Sequence, residues 1–178
     1  MNVLIYESLD KKVRRFQYIR REDILERLKV DDGLLEVIPM RNPNILVKPY
    51  FDIDDSNPET ISLSDILKML SLEFQCEESD WVVATAPRED KISYHIVSKK
   101  YKTTVSKLRD ISKRLARKTS VIDDKCLYFA ISDELESGYF RLPNQSKKTI
   151  NKNSPVLKVL VGNIEDFVVT MVGDLILF

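Results

Sequence analysis

The sequence predicts a fold that mixes strands and helices around one sizeable core, and three observations carry that expectation. The chain has 178 residues, of which 43% are hydrophobic, enough to bury a single core in one domain or in two tightly packed lobes. Two β-prone runs, WVVATA at 81–86 and KISYHIV at 91–97, stand on either side of the turn PRED. Two further stretches keep helical spacing instead: Ile66, Leu67, Leu70 and Phe74, then Val105, Leu108, Ile111 and Leu115.

Taken in order, residues 3–6 are a short apolar run, and residues 10–21, DKKVRRFQYIRR, set six basic residues against one acid. That segment reads equally as a solvated loop or as a nucleic-acid contact. Glu22 and Asp23 open a short helix with Ile24, Leu25 and Leu28 on one face, since acids favour the N-terminal end of the helix dipole. Residues 34–38 and 45–53 read as strands joined by a turn at RNPN, with Pro49 marking an edge or a bulge. Ser62 with Asp65 resembles a capping box, and the helix it opens runs to about Gln75. Thr103 is the expected N-cap of the next helix. The outer side of that helix carries Lys107, Arg109, Lys113, Arg114, Arg117 and Lys118, which suits a solvated face or a phosphate backbone.

Residues 121–131 are strand-like, with Asp123 and Asp124 near their start. In GYFRLPNQSKK, 138–148, Arg141 and Lys147 flank a Pro-Asn turn, so both can converge on one anion. VLKVLVG and FVVTMVGDLILF are apolar and complete the sheet; the terminal Leu-Ile-Leu-Phe is either a final core strand or a cut through a longer protein.

Basic and acidic residues number 28 each, so no overall field draws the molecule onto nucleic acid, and any polyanion site must come from local clustering. Cys76 and Cys126 stand far apart and His95 is the single histidine, which excludes a Cys/His zinc site and suits reduced thiols. The start lacks the basic-then-apolar order of a signal peptide, and no apolar run has the length of a membrane span. A soluble, intracellular protein without a membrane partner is expected.

Two stretches hold chemistry. In VKPYFDIDD, 47–55, Asp52 and Asp54 lie two apart on a strand and project together, with Phe51 and Ile53 turned into the core. Adjacent carboxylates repel, and a site that holds them together usually offsets this with a divalent cation, although an Asp-x-Asp alone also suits a turn or a solvated edge. In 91–97, alternation puts Lys91, Ser93, His95 and Val97 on one face and Ile92, Tyr94 and Ile96 on the other. A polar row is unusual for a core strand, while a lone histidine is more often structural.

YFDIDD, KISYHIV, IDDKCLY and FRLPNQSK occur in the order and approximate spacing of motifs in the archaeo-eukaryotic primase superfamily, over about residues 45–150. The chain resembles most the N-terminal primase domain of poxvirus-type and related large-DNA-virus primase-helicases, and also primase-polymerases. That resemblance implies an α/β (α+β) fold, in which an RNA-recognition-motif-like catalytic sheet packs on helices and an N-terminal lobe helps form a template cleft. It implies a DNA primase, a nucleotidyltransferase that makes short primers in viral DNA replication. Its partners would be single-stranded DNA, nucleoside triphosphates and a helicase in cis or as a separate subunit, in host cytoplasm or nucleus. Asp52, Asp54 and Asp123 would hold two Mg²⁺ or Mn²⁺ ions, with Asp124 the alternative third acid and Asp55 without a role in the pattern. Ser93 and His95 would contact the incoming triphosphate, while Lys91, Arg141 and Lys147 would neutralise it. Arg114 and Arg117 are the candidates for template binding. The zinc module that many relatives carry cannot be built from the two isolated cysteines here. A non-catalytic subunit on the same fold would be expected to lose an acid. A metal-dependent nuclease or DxD-type glycosyltransferase is the other reading, and a nuclease leaves the basic and polar set without a purpose.

Overall fold

The computed structural model describes residues 2–10, 13–30, 33–39, 42–55, 61–86, 91–119, 122–123, 137–146 and 155–178. Its N-terminal lobe starts with a hairpin, β1 (Asn2–Asp10) and β2 (Val13–Arg20), followed by α1 (Arg21–Val30) and β3 (Leu34–Pro39). The basic run is therefore largely strand. Its β-prone residues pair with β1 along most of its length, and its charges are tolerated because β2 is an edge strand, where charge also discourages further pairing. Ile24 and Leu28 of α1 cover one face of this lobe, against Ile5, Ile19 and Leu34.

The expected strand over 45–53 is two strands, β4 (Leu46–Val47) and β5 (Tyr50–Asp55), which join different sheets. Pro49 lies between them and has no N–H to extend a ladder, while its carbonyl accepts from the Ser98 amide at 2.8 Å. Then follow α2 (Leu63–Phe74), β6 (Trp81–Thr85), β7 (Ile92–Ser98), β8 (Tyr101–Thr104), α3 (Val105–Ala116), β9 (Ile122–Asp123), β10 (Ser137–Arg141), β11 (Lys158–Val161) and β12 (Ile176–Leu177). The class is α+β, with three helices among the described residues and sheets that are almost wholly antiparallel.

The central sheet has the order β11-β6-β7-β5-β9. Without β11, its members and helices form a β-α-β-β-α-β unit: β5, α2, β6, β7, α3, β9. The helices lie on one face. Phe51 stands 6.1 Å from both Phe74 of α2 and Trp81, ring to ring, and Phe74 and Trp81 meet edge-on at 5.3 Å. α3 sits beside α2, since Arg114 and Lys118 both reach Glu73 of α2. The same alternation that buries Phe51 and Ile53 turns Asp52 and Asp54 to the other face.

Helix ends follow local chemistry. Ser62 Oγ accepts from the Asp65 amide at 3.1 Å and donates its hydroxyl to the Asp65 carboxylate at 2.6 Å. Beyond α2, Gln75 takes a left-handed φ of 51°. Ser62→Ala should cost about 1 kcal/mol in denaturant unfolding. A loss below a few tenths would show the cap to be dispensable. At α3 the cap is Thr104, which accepts from the Lys107 amide at 3.2 Å; Thr103, the expected cap, is buried one residue earlier in β8.

β10 joins the N-terminal lobe, in the order β10-β3-β1-β2, and brings that lobe against the central sheet. Glu36 of β3 fastens the junction. Its buried carboxylate accepts from the Val169 amide at 2.6 Å, the Thr170 amide at 2.8 Å and the Thr170 hydroxyl at 2.6 Å. The chain end is not a core strand: Ile176 and Leu177 are exposed in β12, a two-residue partner of β8, and only Phe178 packs inward, 4.6 Å from the Phe74 ring. No helix among the described residues is long and apolar enough to cross a membrane.

Candidate active site

Strand register assembles the site. Asp52 of β5 lies opposite His95 of β7 on one side and Asp123 of β9 on the other, and Asp54 lies opposite Ser93. Opposed residues of an antiparallel pair have Cα atoms about 4.5–5.5 Å apart and share a face, so Asp52, Asp54, Ser93 and His95 all face away from α2 and α3. For Asp123 the structure gives the backbone position beside Asp52. The Asp123 and Asp55 side chains, and the whole of Asp124 and Lys147, lie outside the described residues.

His95 is buried, under the Phe140 ring at 4.6 Å between centroids. Its Nδ1 is 3.2 Å from the Arg141 carbonyl oxygen. A carbonyl only accepts, so Nδ1 carries the proton and Nε2 a lone pair. Burial, and after it the nearby Arg141 guanidinium, hold the imidazole far below its usual range, at about 3, and it is neutral at pH 7. Nε2 then points at Asp52 Oδ1 from 3.5 Å, one acceptor facing another. Such an arrangement suits a donor or a cation from outside.

The basic residues divide into two sets. Lys91 donates to Asp54 Oδ1 at 2.8 Å, so in this state it neutralises an acid of the site itself. Arg141 is largely buried and gives Nη1 to the Pro155 carbonyl at 3.3 Å. Burial lowers its pKa, while the Asp52 and Asp54 carboxylates pull it back up, which places the guanidinium in the field of both acids. Arg141 thus reaches His95 and the acid pair from β10 of the other lobe. Arg114 and Arg117 are not brought there. They lie at the end of α3, behind the sheet, and Arg114 is engaged with Glu73. A strand lying over Asp52 would have to turn around the sheet edge to meet them.

Three residues that hold the site in place carry no sequence signal of their own. Phe140 roofs His95 and meets Tyr50 edge-on at 4.9 Å. Gln145 is fully buried, accepting from the Leu34 amide at 3.1 Å and donating to the Leu28 carbonyl at 3.3 Å, and so ties the loop after Arg141 to the N-terminal lobe. Glu36 acts one register row away, opposite Phe140. Only the inclusion of Phe140 and Gln145 in FRLPNQSK pointed toward them.

The donor set fits a hard divalent cation: two partly exposed carboxylates on one face, side chains 25% and 35% exposed, with a third acid in register. Among the described residues no group of three or more His, Cys, Asp or Glu gathers to hold a metal ion, so the described side chains supply two carboxylates. Mg²⁺ is commonly held by one or two carboxylates together with substrate phosphates. No protein-family model matches the chain, and no curated protein matches it in sequence.

Proposed function

We propose that this chain is a primase-type nucleotidyltransferase that joins nucleotides on a single-stranded DNA template. The observation that carries the reading is the convergence of Arg141 from the other lobe on the row formed by Asp52, His95 and Asp123. Paired acids, a covered imidazole and a nearly buried guanidinium have a common purpose if the ligand is an anion that arrives with a divalent cation. The order β9-β5-β7-β6, with both helices behind it, is the arrangement of an RNA-recognition-motif sheet and supports a primase-like fold. A soluble protein that works with a helicase, in cytoplasm or nucleus, accompanies the reading.

Asp52, Asp54 and Asp123 would hold Mg²⁺ or Mn²⁺, whose chemistry is to stabilise the attacking and leaving oxygens of an in-line displacement at the α-phosphorus. Arg141 would meet the triphosphate charge, and Lys91, which pairs with Asp54 at 2.8 Å, would stand beside it. The Ser93 hydroxyl faces the same space. With Nδ1 committed to Arg141, neutral His95 has no proton to give a phosphate oxygen. It fixes the Arg141 backbone and offers Nε2 as an acceptor to a water or a sugar hydroxyl.

Incubation with single-stranded DNA, Mg²⁺ or Mn²⁺ and labelled ribo- or deoxyribonucleotides should give template-dependent products. Template degradation without synthesis would move the assignment to a nuclease. His95→Ala should weaken nucleotide affinity and lower the maximal rate, with oligonucleotide binding retained. Since His95 is already neutral, the kcat/KM profile should show no inflection near pH 6.5 that His95→Gln removes. An inflection of that kind would mean a protonated imidazole on the phosphate, against the assignment made here.

A further inference from the structure

Strand β2 presents two aromatic rings to solvent outside the site, Phe16 at 49% exposure and Tyr18 at 72%. They lie two residues apart, hence on one face of the strand and about 6–7 Å from each other along it. Ile19, of opposite parity, is buried in the cluster with Ile24 and Leu28, so the aromatic face is the one α1 leaves open. Register carries this face to the site. Phe16 is opposite Tyr6, Tyr6 opposite Leu35, and Leu35 opposite Arg141. One row therefore crosses the whole sheet from an exposed ring to the arginine beside Asp52 and Asp54, three strand spacings or about 14 Å. The surrounding segment, 10–21, carries six basic residues and one acid. Arg20, two beyond Tyr18, is exposed and meets Asp23 at 2.8 Å.

We propose that β2 is a base-stacking platform for single-stranded nucleic acid, and that the bound strand runs from the site along this row to Phe16 and Tyr18. The proposal rests on the template-directed reading and assigns the surface that takes the strand, on the open side of the N-terminal sheet rather than along α3. Exposed aromatic rings accept any base, and the six basic residues of segment 10–21 supply the sequence-independent attraction to phosphates. Local charge favours a polyanion over a protein surface of average composition.

Fluorescence anisotropy with a labelled oligo(dT), without nucleotide or metal and at several salt concentrations, tests this. Each of Phe16→Ala and Tyr18→Ala should weaken binding about tenfold, the double variant more, while Tyr18→Phe keeps wild-type affinity. Tyr18 is largely exposed, so the unfolding midpoint should not move in its variants. Unchanged affinity in the double variant, loss in Tyr18→Phe equal to that in Tyr18→Ala, or no wild-type binding would each overturn the platform. So would a self-association in sedimentation that the double variant abolishes while oligo(dT) binding stays as it was, which would make the strip a protein interface. The catalytic reading is judged separately: platform binding without any nucleotide addition by the wild-type chain would count against the polymerase assignment alone.

Discussion

Asp52→Asn should lower nucleotide addition by about a thousandfold or more while leaving the protein about as stable as wild type. Loss of a single preorganised electrostatic contact to a transition state typically costs about 10²–10³ in rate, and this carboxylate is also the member of the acid set that lies between His95 and Asp123. The stability half of the expectation comes from the same geometry. In the wild type Asp52 Oδ1 faces the lone pair of Nε2 at 3.5 Å, and Asp52 is in register with a second acid. Like charges directly opposite destabilise a strand pair. An asparagine of the same shape removes that repulsion, and its amide can donate to Nε2, a bond worth about 1 kcal/mol, which offsets the lost attraction to the Arg141 guanidinium. Primer extension alongside denaturant unfolding measures both halves. Activity within tenfold of wild type would remove Asp52 from the metal set, and a large loss of stability would make its role structural.

The parts of this arrangement that were legible in the chain obey local periodicity. Period-two alternation in YFDIDD and KISYHIV puts Asp52, Asp54, Ser93 and His95 on one side, and the strands are arranged so. The N-terminal hairpin was not legible, because a charged edge strand and a charged loop have the same composition; only pairing with β1 distinguishes them. Nor could the helical spacing of α3 say which side of the sheet the helix covers, so Arg114 and Arg117 stood as candidates for template binding. Protonation was further out of reach. His95 is neutral because Phe140 and Arg141, some 46 residues later, bury it and oppose its charge. Gln145 and Glu36 find their partners 111 and 133 residues away, and no window of sequence pairs a buried carboxylate with amides at that distance.

That last contact should be the most expensive in the fold to remove, and Glu36→Leu is expected to destabilise the chain by about 3–5 kcal/mol. Leucine fills the space but leaves the buried Val169 amide and the part-buried Thr170 amide and hydroxyl without their acceptor, at about 1–3 kcal/mol for a buried group. The dependence on pH has a definite sign. Burial raises the Glu36 pKa above its ordinary 4.5, outweighing the Thr170 and Val169 hydrogen bonds and the attraction of Lys48, which all act to lower it. The folded chain therefore holds this proton more tightly than the unfolded chain. The stability that follows is complete below pH 4.5 and is lost as pH rises through the folded pKa. Glu36→Gln cannot titrate, so it lacks this contribution, and the gap between wild type and Glu36→Gln should be widest near pH 4 and narrow toward neutrality. Urea unfolding across that range decides the matter: a gap that widens with pH would mean that the ionised form is the one the fold prefers. Function should follow structure here, because β3 pairs directly with β10 and Glu36 sits opposite Phe140. Loosening the clamp displaces the roof of His95 and the base of Arg141 together, so Glu36→Leu that still folds should lose nucleotide affinity while binding of oligo(dT) at the far edge of the sheet is retained.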